Sequence, residues 1–441
     1  MSPLNYGLTP KMKPVAPKRT ALIAAVDVGT DKIACLIARL KPRPPQEVLR
    51  RRTHAIEVIG FSHTESRGMK AGTVVDLSEA EEAVRYAVHL AERNAKCQVE
   101  SVIVSMSSGR MASDLLTAEI PLNGANVTDK DISRVLAAGG RQSVRDGRVV
   151  LHSLPVGYIL DDAKGVRDPR GMLASRFGVT MHVVTADLAP ARNLMLAVER
   201  CHLVIEALVA GPYVASLATL ADDEADLGAA VIDMGAGTTS MAVFADGRFI
   251  HADGFALGGR HVTLDIARGL NTSVHDSERI KTLYGSVLAG AADERDMIKV
   301  TALSGDEREP ARSVSRAVLT RIIKPRVEEI LEILRDRLAA SPFASEPRGR
   351  VILTGGACQL TGLPDLAMQI LGRPVRVGRP LGISGLPEAA KGPAFAAACG
   401  LLVYPQAAQH EHYEPRHMRQ QSTAGTGGYI ARVGRWLRES F

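Results

Sequence analysis

Two stretches of this chain share one design. Residues 22–32 read LIAAVDVGTDK and residues 229–240 read AAVIDMGAGTTS. Each is an apolar run that ends in an aspartate, and each passes through glycine and threonine into a second apolar run, at 33–40 and 241–245. An apolar run bounded by turn residues is the pattern of a buried strand. Glycine after the aspartate lets the backbone turn tightly and present N–H groups to a phosphate, and the threonine hydroxyls add donors. An Asp-Gly turn between strands is equally the chemistry of a plain hairpin. Its recurrence about 200 residues later marks an internal duplication. A duplicated hairpin of this kind implies a nucleotide held between two similar domains.

At 441 residues the chain is too long for one core, so two or more domains are expected. An apolar fraction of 46% is that of a globular protein, and aromatics at 4% leave little for a carbohydrate- or base-stacking surface. The net charge of +6 gathers at the ends and in a few arginine-rich segments, which argues against a nucleic-acid groove and for proximity to a membrane. Five cysteines, at 35, 97, 201, 358 and 399, include no CxxC pair, the pattern of reduced thiols in a cytosolic protein. No HExxH occurs among the twelve histidines, so a zinc site has no sequence support.

Residues 1–20 carry prolines and lysines without an apolar segment suited to a signal peptide and are expected to be disordered. After the first hairpin come a strand at 56–61, a loop at 66–70 with Gly72, and an amphipathic helix at 77–97 that Ser78 can cap. From 99 to 177 short apolar runs at 102–106, 115–120, 149–154 and 156–160 surround a helix at 129–142, capped by Thr128 with Asp131 in its first turn. This texture predicts a small α/β insertion. Strand 181–185, helix 189–201, strand 204–210 and helix 212–220 then lead to the second hairpin.

Beyond it, 247–259 reads as a strand and a glycine turn, with Gly258 and Gly259 ahead of a helix at 262–270. A helix at 276–284 carries Glu278 and Lys281 three apart on one face, a spacing that a solvated ion pair also explains. The helical pattern over 313–338 contains Pro325, which predicts a kink or a split. VILTGG at 351–356 repeats the strand-then-glycine theme. There Gly355, Gly356 and Ala357 permit close approach of a flat ligand, with a helix following at 360–371. The apolar run 394–404 reaches about 16 Å as a helix, half of a bilayer core, and is expected to be buried.

The tail differs from everything before it. Residues 406–427 are rich in Gln, His, Glu, Ser, Thr and Gly with few large apolar residues, the composition of an unfolded linker. Residues 428–441 read GYIARVGRWLRESF. On a helical wheel Tyr429, Ile430, Val433, Trp436, Leu437 and Phe441 share one arc, and Arg432, Arg435, Arg438 and Glu439 the opposite one. Arginines beside an apolar stripe that holds the chain's only tryptophan match an interfacial helix on an anionic phospholipid membrane. A helix docked on the protein itself or on a partner is the other reading. The polar linker argues against tight self-docking.

VDVGTDK, VIDMGAGTT and VILTGGACQL resemble the first phosphate, second phosphate and adenosine motifs of the actin, heat-shock-protein-70 and sugar-kinase superfamily, in its order and near its spacings. Within it, SRGMKAG, VERCHL, PVRVGRP and GRWLRESF resemble segments of the FtsA family of bacterial cell-division proteins, and the likeness covers nearly everything from about 20 to 441. The resemblance implies an α/β, two-domain actin-like (ribonuclease-H-like) ATPase fold. Its domain 1A would comprise 21–98 and 178–225, with the family's subdomain 1C inserted at 99–177. Domain 2A would comprise 226–259 and 346–405, the latter returning to 1A, with subdomain 2B at 260–345.

The resemblance also implies ATP and Mg2+ as ligands. Asp27 and Asp233 would face the magnesium through its water shell. Gly29, Thr30, Asp31 and Lys32 in one hairpin and Gly235, Ala236, Gly237, Thr238 and Thr239 in the other would hold the phosphates, with Gly258 and Gly259 beside them. Glu278 and Lys281 would contact ribose or adenine, and Gly355, Gly356 and Ala357 would lie against the base. Ala236 stands where many relatives carry a third glycine, and its Cβ would crowd a left-handed turn while being tolerated at negative φ.

As in that family, the chain would polymerise with itself on the cytoplasmic face of the inner membrane at the septum. It would bind the C-terminal peptide of FtsZ through 2B and recruit later division proteins through 1C. No residue is assigned as the base that activates water, so slow or no hydrolysis is expected. A pilus-assembly actin relative and a small-molecule kinase are the rival readings.

Overall fold

The computed structural model describes residues 9–12, 14–44, 49–107, 110–142, 146–290, 293–301, 303, 312–346 and 348–408. The expected amphipathic helix at 428–441 and all but the start of the expected linker lie outside the described residues. Strand β1 (Ala21–Val28) and strand β2 (Lys32–Pro42) form an antiparallel hairpin with Asp27 opposite Ala34 and Val28 opposite Ile33. The apolar stretches of both strands, Ile23 to Val26 and Ile33 to Ala38, are buried throughout, as continuous apolar runs require. β3 (His54–Glu65) alternates buried and half-buried positions and covers an edge. Where a loop was expected, β4 (Met69–Lys70) and β5 (Thr73–Val74) form a two-residue hairpin. Helix α1 (Leu77–Ala95) is capped by Asp76 and not by Ser78: the Asp76 carboxylate accepts the N–H groups of Ser78 and Glu79, each at 3.0 Å. β6 (Ser101–Met106) runs parallel to β1.

One compact unit spans Asp114–Val183. It contains most of β7 (Ala112–Asn126), then α2 (Asp129–Gln142), β8 (Arg148–Leu160), β9 (Ala163–Val166) and most of β10 (Leu173–Asp187), in a sheet ordered β7-β10-β8-β9. Val135, Phe177, Val179 and Met181 are at the centre of its own core. The Thr128 hydroxyl accepts the N–H of Asp131 at 3.4 Å, and the Asp131 carboxylate accepts the N–H of Thr128 at 3.1 Å, a reciprocal cap. β6 belongs to the sheet of β1, so this unit begins later than residue 99 and ends later than 177. The runs 149–154 and 156–160 are one strand that continues through Pro155.

The second compact unit comprises Pro10–Ser113 and Val184–Gln409. α3 (Leu188–Glu199), β11 (Val204–Ala210), α4 (Gly211–Thr219) and the short α5 (Asp222–Leu227) follow. A second hairpin, β12 (Ala229–Met234) and β13 (Thr239–Ala245), then sets Asp233 opposite Ser240 and Met234 opposite Thr239. The spacing from aspartate to partner is the same as in the first hairpin. Next come β14 (Arg248–Phe255), α6 (Gly259–Leu270), α7 (Val274–Tyr284), β15 (Met297–Val300), β16 (Arg312–Ser315) and α8 (Arg316–Ala339). β17 (Arg350–Thr354), α9 (Leu363–Leu371), β18 (Val375–Val377), β19 (Ile383–Ser384) and α10 (Ala396–Ala407) complete the described chain.

The larger sheet is ordered β11-β6-β1-β2-β3-β19 and the other β14-β13-β12-β17-β18. Leaving β19 aside, both take their strands in the order third, second, first, fourth, fifth, so the duplication is present strand for strand. The chain crosses between the two sheets twice, from β11 through α4 and α5 into β12, and from β18 back to β19 and α10.

Residues 313–315 belong to β16, which pairs with β15, so the long helix starts later than its pattern suggested. It is not split at Pro325 and buries Leu319, Ile323, Val327, Ile330, Leu334 and Leu338 along one face. α10 is buried from Ala396 through Gln406 and continues past Pro405, and the Gln406 carboxamide accepts the N–H of His54 at 3.0 Å. The linker therefore does not begin at 406. The N-terminal arm is also tied down where it is described: Val15 donates its N–H to the carbonyl of Pro405 at 3.3 Å, and the carbonyl of Arg19 lies 2.9 Å from Nε2 of His54. Of the described residues, no helix is long and apolar enough to cross a membrane. The five cysteines are free, three of them buried.

Candidate functional site

Each hairpin closes in the same way. Gly29 donates its N–H to the carbonyl of Lys32 at 3.0 Å, and Gly235 donates to the carbonyl of Thr238 at 2.9 Å. Neither glycine takes a positive φ; both are needed for close approach. A Cβ on Gly29 would sit 2.8 Å from Lys32 O, and one on Gly237 would sit 2.5 Å from Oγ1 of Thr30, so the tip of the second hairpin rests on the first. Ala236 likewise has no positive φ, so its Cβ is accommodated. The carbonyls of Gly235 and Ala236 accept the N–H groups of Gly259 and Arg260, at 2.9 and 2.8 Å, which seats the start of α6 on the turn.

Between the hairpins lies a cavity of about 520 Å³, a size that takes a small organic ligand. Its wall contains Asp27, Gly29, Thr30, Asp31, Lys32, Asp233, Gly235, Ala236, Gly237, Thr238, Gly259, Glu278, Lys281, Gly355, Gly356 and Ala357. Two residues expected there are elsewhere. Thr239 is buried with its hydroxyl donating to the carbonyl of Leu257 at 2.8 Å, because it is already the first residue of β13 and faces inward. Gly258 supports the turn from behind, where a Cβ would meet Gly235 O at 2.5 Å.

Asp27 and Asp233 each stand one residue before the end of a central strand, β1 in one sheet and β12 in the other, and both line the cavity. Burial raises the pKa of Asp27, opposed by a hydrogen bond from Ser105 and by the charge of Lys32. Burial also pushes Asp233 up to about 7, with the charge of Asp27 adding to it and Lys32 opposing it. Two carboxylates that each resist ionisation form a site that gains from a cation. Lys32 supplies a single charge, and its Nζ lies 4.8 Å from the centroid of the Phe395 ring.

Lys281 is the sheltered partner of its pair with Glu278, whose side chain is 44% exposed. Lys281 is 12% exposed, and its Nζ donates to Glu278 at 2.6 Å, to the Thr263 hydroxyl at 2.9 Å and to Gly259 O at 3.2 Å. The pair thus links α7 to the start of α6 at one wall of the cavity. On the other side Gly355 takes φ +85°, and a Cβ there would come within 2.4 Å of Oδ1 of Asp233.

Sequence reasoning missed Ser105, whose hydroxyl donates to Asp27, and the wall residues Val28, Gly72, Ser107, Thr282, Gly285, Gln359, Leu360, Thr361, Pro393, Ala394 and Ala397. Gln359 and Leu360 follow directly on the third glycine motif and were within reach of it. Pro393 to Ala397 carry no polar signal.

Comparison with known proteins agrees with this architecture. The family described as "Cell division protein FtsA" matches residues 230–400, and the "SHS2 domain inserted in FTSA" matches residues 108–185. The PilM-PilN type IV pilus biogenesis complex superposes with a TM-score of 0.59 at 16% identity, covering 87% of this chain and 98% of that one. MreB5 of Spiroplasma citri bound to ADP superposes with 0.52 at 11% identity, covering 89% and 98%. These likenesses identify the two-domain actin-like ATPase fold. Cell division protein FtsA of Agrobacterium fabrum is 50% identical over 437 residues, 99% of this chain and 98% of that protein. The Escherichia coli K12 protein of the same name is 31% identical over 427 residues, 95% and 98% respectively. With matches of that length on both sides, the chain belongs to the FtsA family of cell division proteins.

Proposed function

We propose that the chain binds magnesium-ATP between its two hairpins and that occupancy of this cleft sets the angle between the two sheets for assembly at a membrane. The observation that supports this most is the meeting of the hairpins at Gly237 and Thr30, with one aspartate behind each. Mg2+ keeps several waters and takes one or two carboxylates together with substrate phosphates. The residues fit that habit: of the carboxylates that line the cavity, Asp27 and Asp233 stand near the ends of the two matching hairpin strands, beside the turns that would hold the phosphates. In this reading Asp27 and Asp233 hold the water shell. Gly29, Thr30, Asp31, Lys32, Gly235, Ala236, Gly237 and Thr238 hold the phosphates, Glu278 and Lys281 the ribose or adenine, and Gly355, Gly356 and Ala357 the base. When bound, the metal neutralises phosphate charge. Turnover is slow at most, since none of the wall residues is assigned as the base that activates water.

Closed subunits then polymerise along the inner face of the membrane. Tyr429, Ile430, Val433, Trp436, Leu437 and Phe441 enter the lipid interface, while Arg432, Arg435 and Arg438 meet anionic headgroups, each worth about 1 kcal/mol. One such helix binds reversibly, and a filament multiplies the affinity through avidity. The filament anchors the FtsZ tail peptide and recruits later division proteins to the septum. The test is electron microscopy of the protein with ATP on an anionic lipid monolayer, paired with liposome co-sedimentation of a chain lacking 428–441. Filaments on the lipid and loss of sedimentation on truncation are expected. Full sedimentation of the truncated chain would overturn the membrane role, and absence of heat on titration with magnesium-ATP would overturn the nucleotide role.

A further inference from the structure

We infer that Ser105 is a positioning residue for the Asp27 carboxylate, and that the two halves of the duplication hold their aspartates by different means. The inference rests on the nucleotide reading proposed above. In the larger sheet β1 runs parallel to β6 with Val26 level with Val104, so Ser105 stands beside Asp27. In the other sheet β12 runs parallel to β17 with Asp233 level with Thr354. The duplication therefore places a hydroxyl residue next to each aspartate, and both are buried, Ser105 at 1% exposure and Thr354 at 0%.

The two hydroxyls do different things. Ser105 donates to Oδ1 of Asp27, which fixes the rotamer of that carboxylate and leaves its second oxygen to the cleft. Thr354 instead shares its one hydroxyl proton between the carbonyls of Gly378 at 3.2 Å and Pro393 at 3.1 Å, and is committed to the main chain. No side-chain donor among the described residues reaches Asp233. Asp27 is accordingly the pre-set carboxylate of the pair, and Asp233 the one that is free to adjust to what enters the cleft. Because the bond acts on a carboxylate that would face the metal's water shell, its loss should be felt where magnesium is present and not where it is absent.

The experiment measures ATP affinity by calorimetry twice for each protein, in excess magnesium and in excess chelator. For Ser105→Ala we expect magnesium-ATP to bind about tenfold more weakly, the scale of one hydrogen bond to a charged group, with binding in chelator unchanged. Ser105→Thr, which keeps the hydroxyl, should recover most of the loss. Equal magnesium-ATP affinity in wild type and Ser105→Ala would overturn the inference, as would an equal loss in magnesium and in chelator, which marks a merely structural role. Should Ser105→Ala not fold, Ser105→Cys, which replaces the donor with a weak one at similar volume, is read by the same two criteria. A wild type that binds ATP in neither condition overturns the cleft reading itself, a result distinct from both.

Discussion

Gly237 rests against Thr30: a β-carbon added to the glycine would stand 2.5 Å from the threonine Oγ1, 2.8 Å from Cγ2 and 2.9 Å from Cβ. These residues are the tips of two hairpins from different sheets, so the contact measures how far the sheets have closed on each other. The same hydroxyl accepts the N–H of Gly72 at 3.1 Å, which leaves Thr30 little room to retreat.

Gly237→Ala should therefore hold the cleft open by the width of a methyl group and weaken ATP binding at least tenfold, with an overpacking cost of about 1–3 kcal/mol. Calorimetry with magnesium-ATP and a denaturant titration check the two numbers. Adding Thr30→Ala removes Oγ1 and Cγ2 but not Cβ, so the double variant should recover part of the affinity.

Asp233 gives the site a pH dependence. Its folded-state pKa, pushed up to about 7 from 3.8, lies above the free value. The ligand-free protein carries no penalty from this group below about pH 4, a growing one as pH rises to about 7, and a constant one above. Binding a cation at the site requires the ionised form, so magnesium-ATP affinity should fall below about pH 7 by up to about tenfold per pH unit. Asp233→Asn should weaken the affinity and flatten its pH profile, which titrations between pH 5.5 and 8 would show.

Lys281 joins three acceptors on two helices at the cavity wall. Lys281→Ala should leave Glu278 and Thr263 bonded to each other and weaken ATP binding by about ten- to a hundredfold, since a hydrogen bond to a charged group contributes about 1.5–3 kcal/mol. A fluorescent ATP analogue reports the change.

Gly400 lets α10 lie directly on α4. A Cβ there would fall 1.7 Å from the carbonyl oxygen of Val214, a backbone atom that cannot swing aside. Gly400→Ala should cost about 3 kcal/mol or more and lower the unfolding temperature, measured by calorimetric melting.

The hairpins and their aspartates were legible because the sequence states them twice, and the register follows from apolar runs that can face only a core. The third glycine motif was legible for the same reason. Other features depended on distances along the chain that no local pattern reports. Asp76 outcompetes Ser78 as a cap because it precedes the helix and its carboxylate reaches two N–H groups. β6 looks like its neighbours in the insertion, and only pairing with β1 assigns it to the larger sheet. Thr239 and Thr238 are equivalent as letters, yet the alternation of β13 turns one inward and leaves the other on the cavity. The arm at 14–20 has a loop's composition and is held by main-chain groups, which composition does not encode.

The chain passes between its two sheets along two separate covalent paths, one through α4 and α5 and one from β18 to β19. A single link would let the halves twist, tilt and swing like beads on a string. Two links restrict the relative freedom of the halves far more than one, and rotation about the line that joins the two crossings is the movement they oppose least.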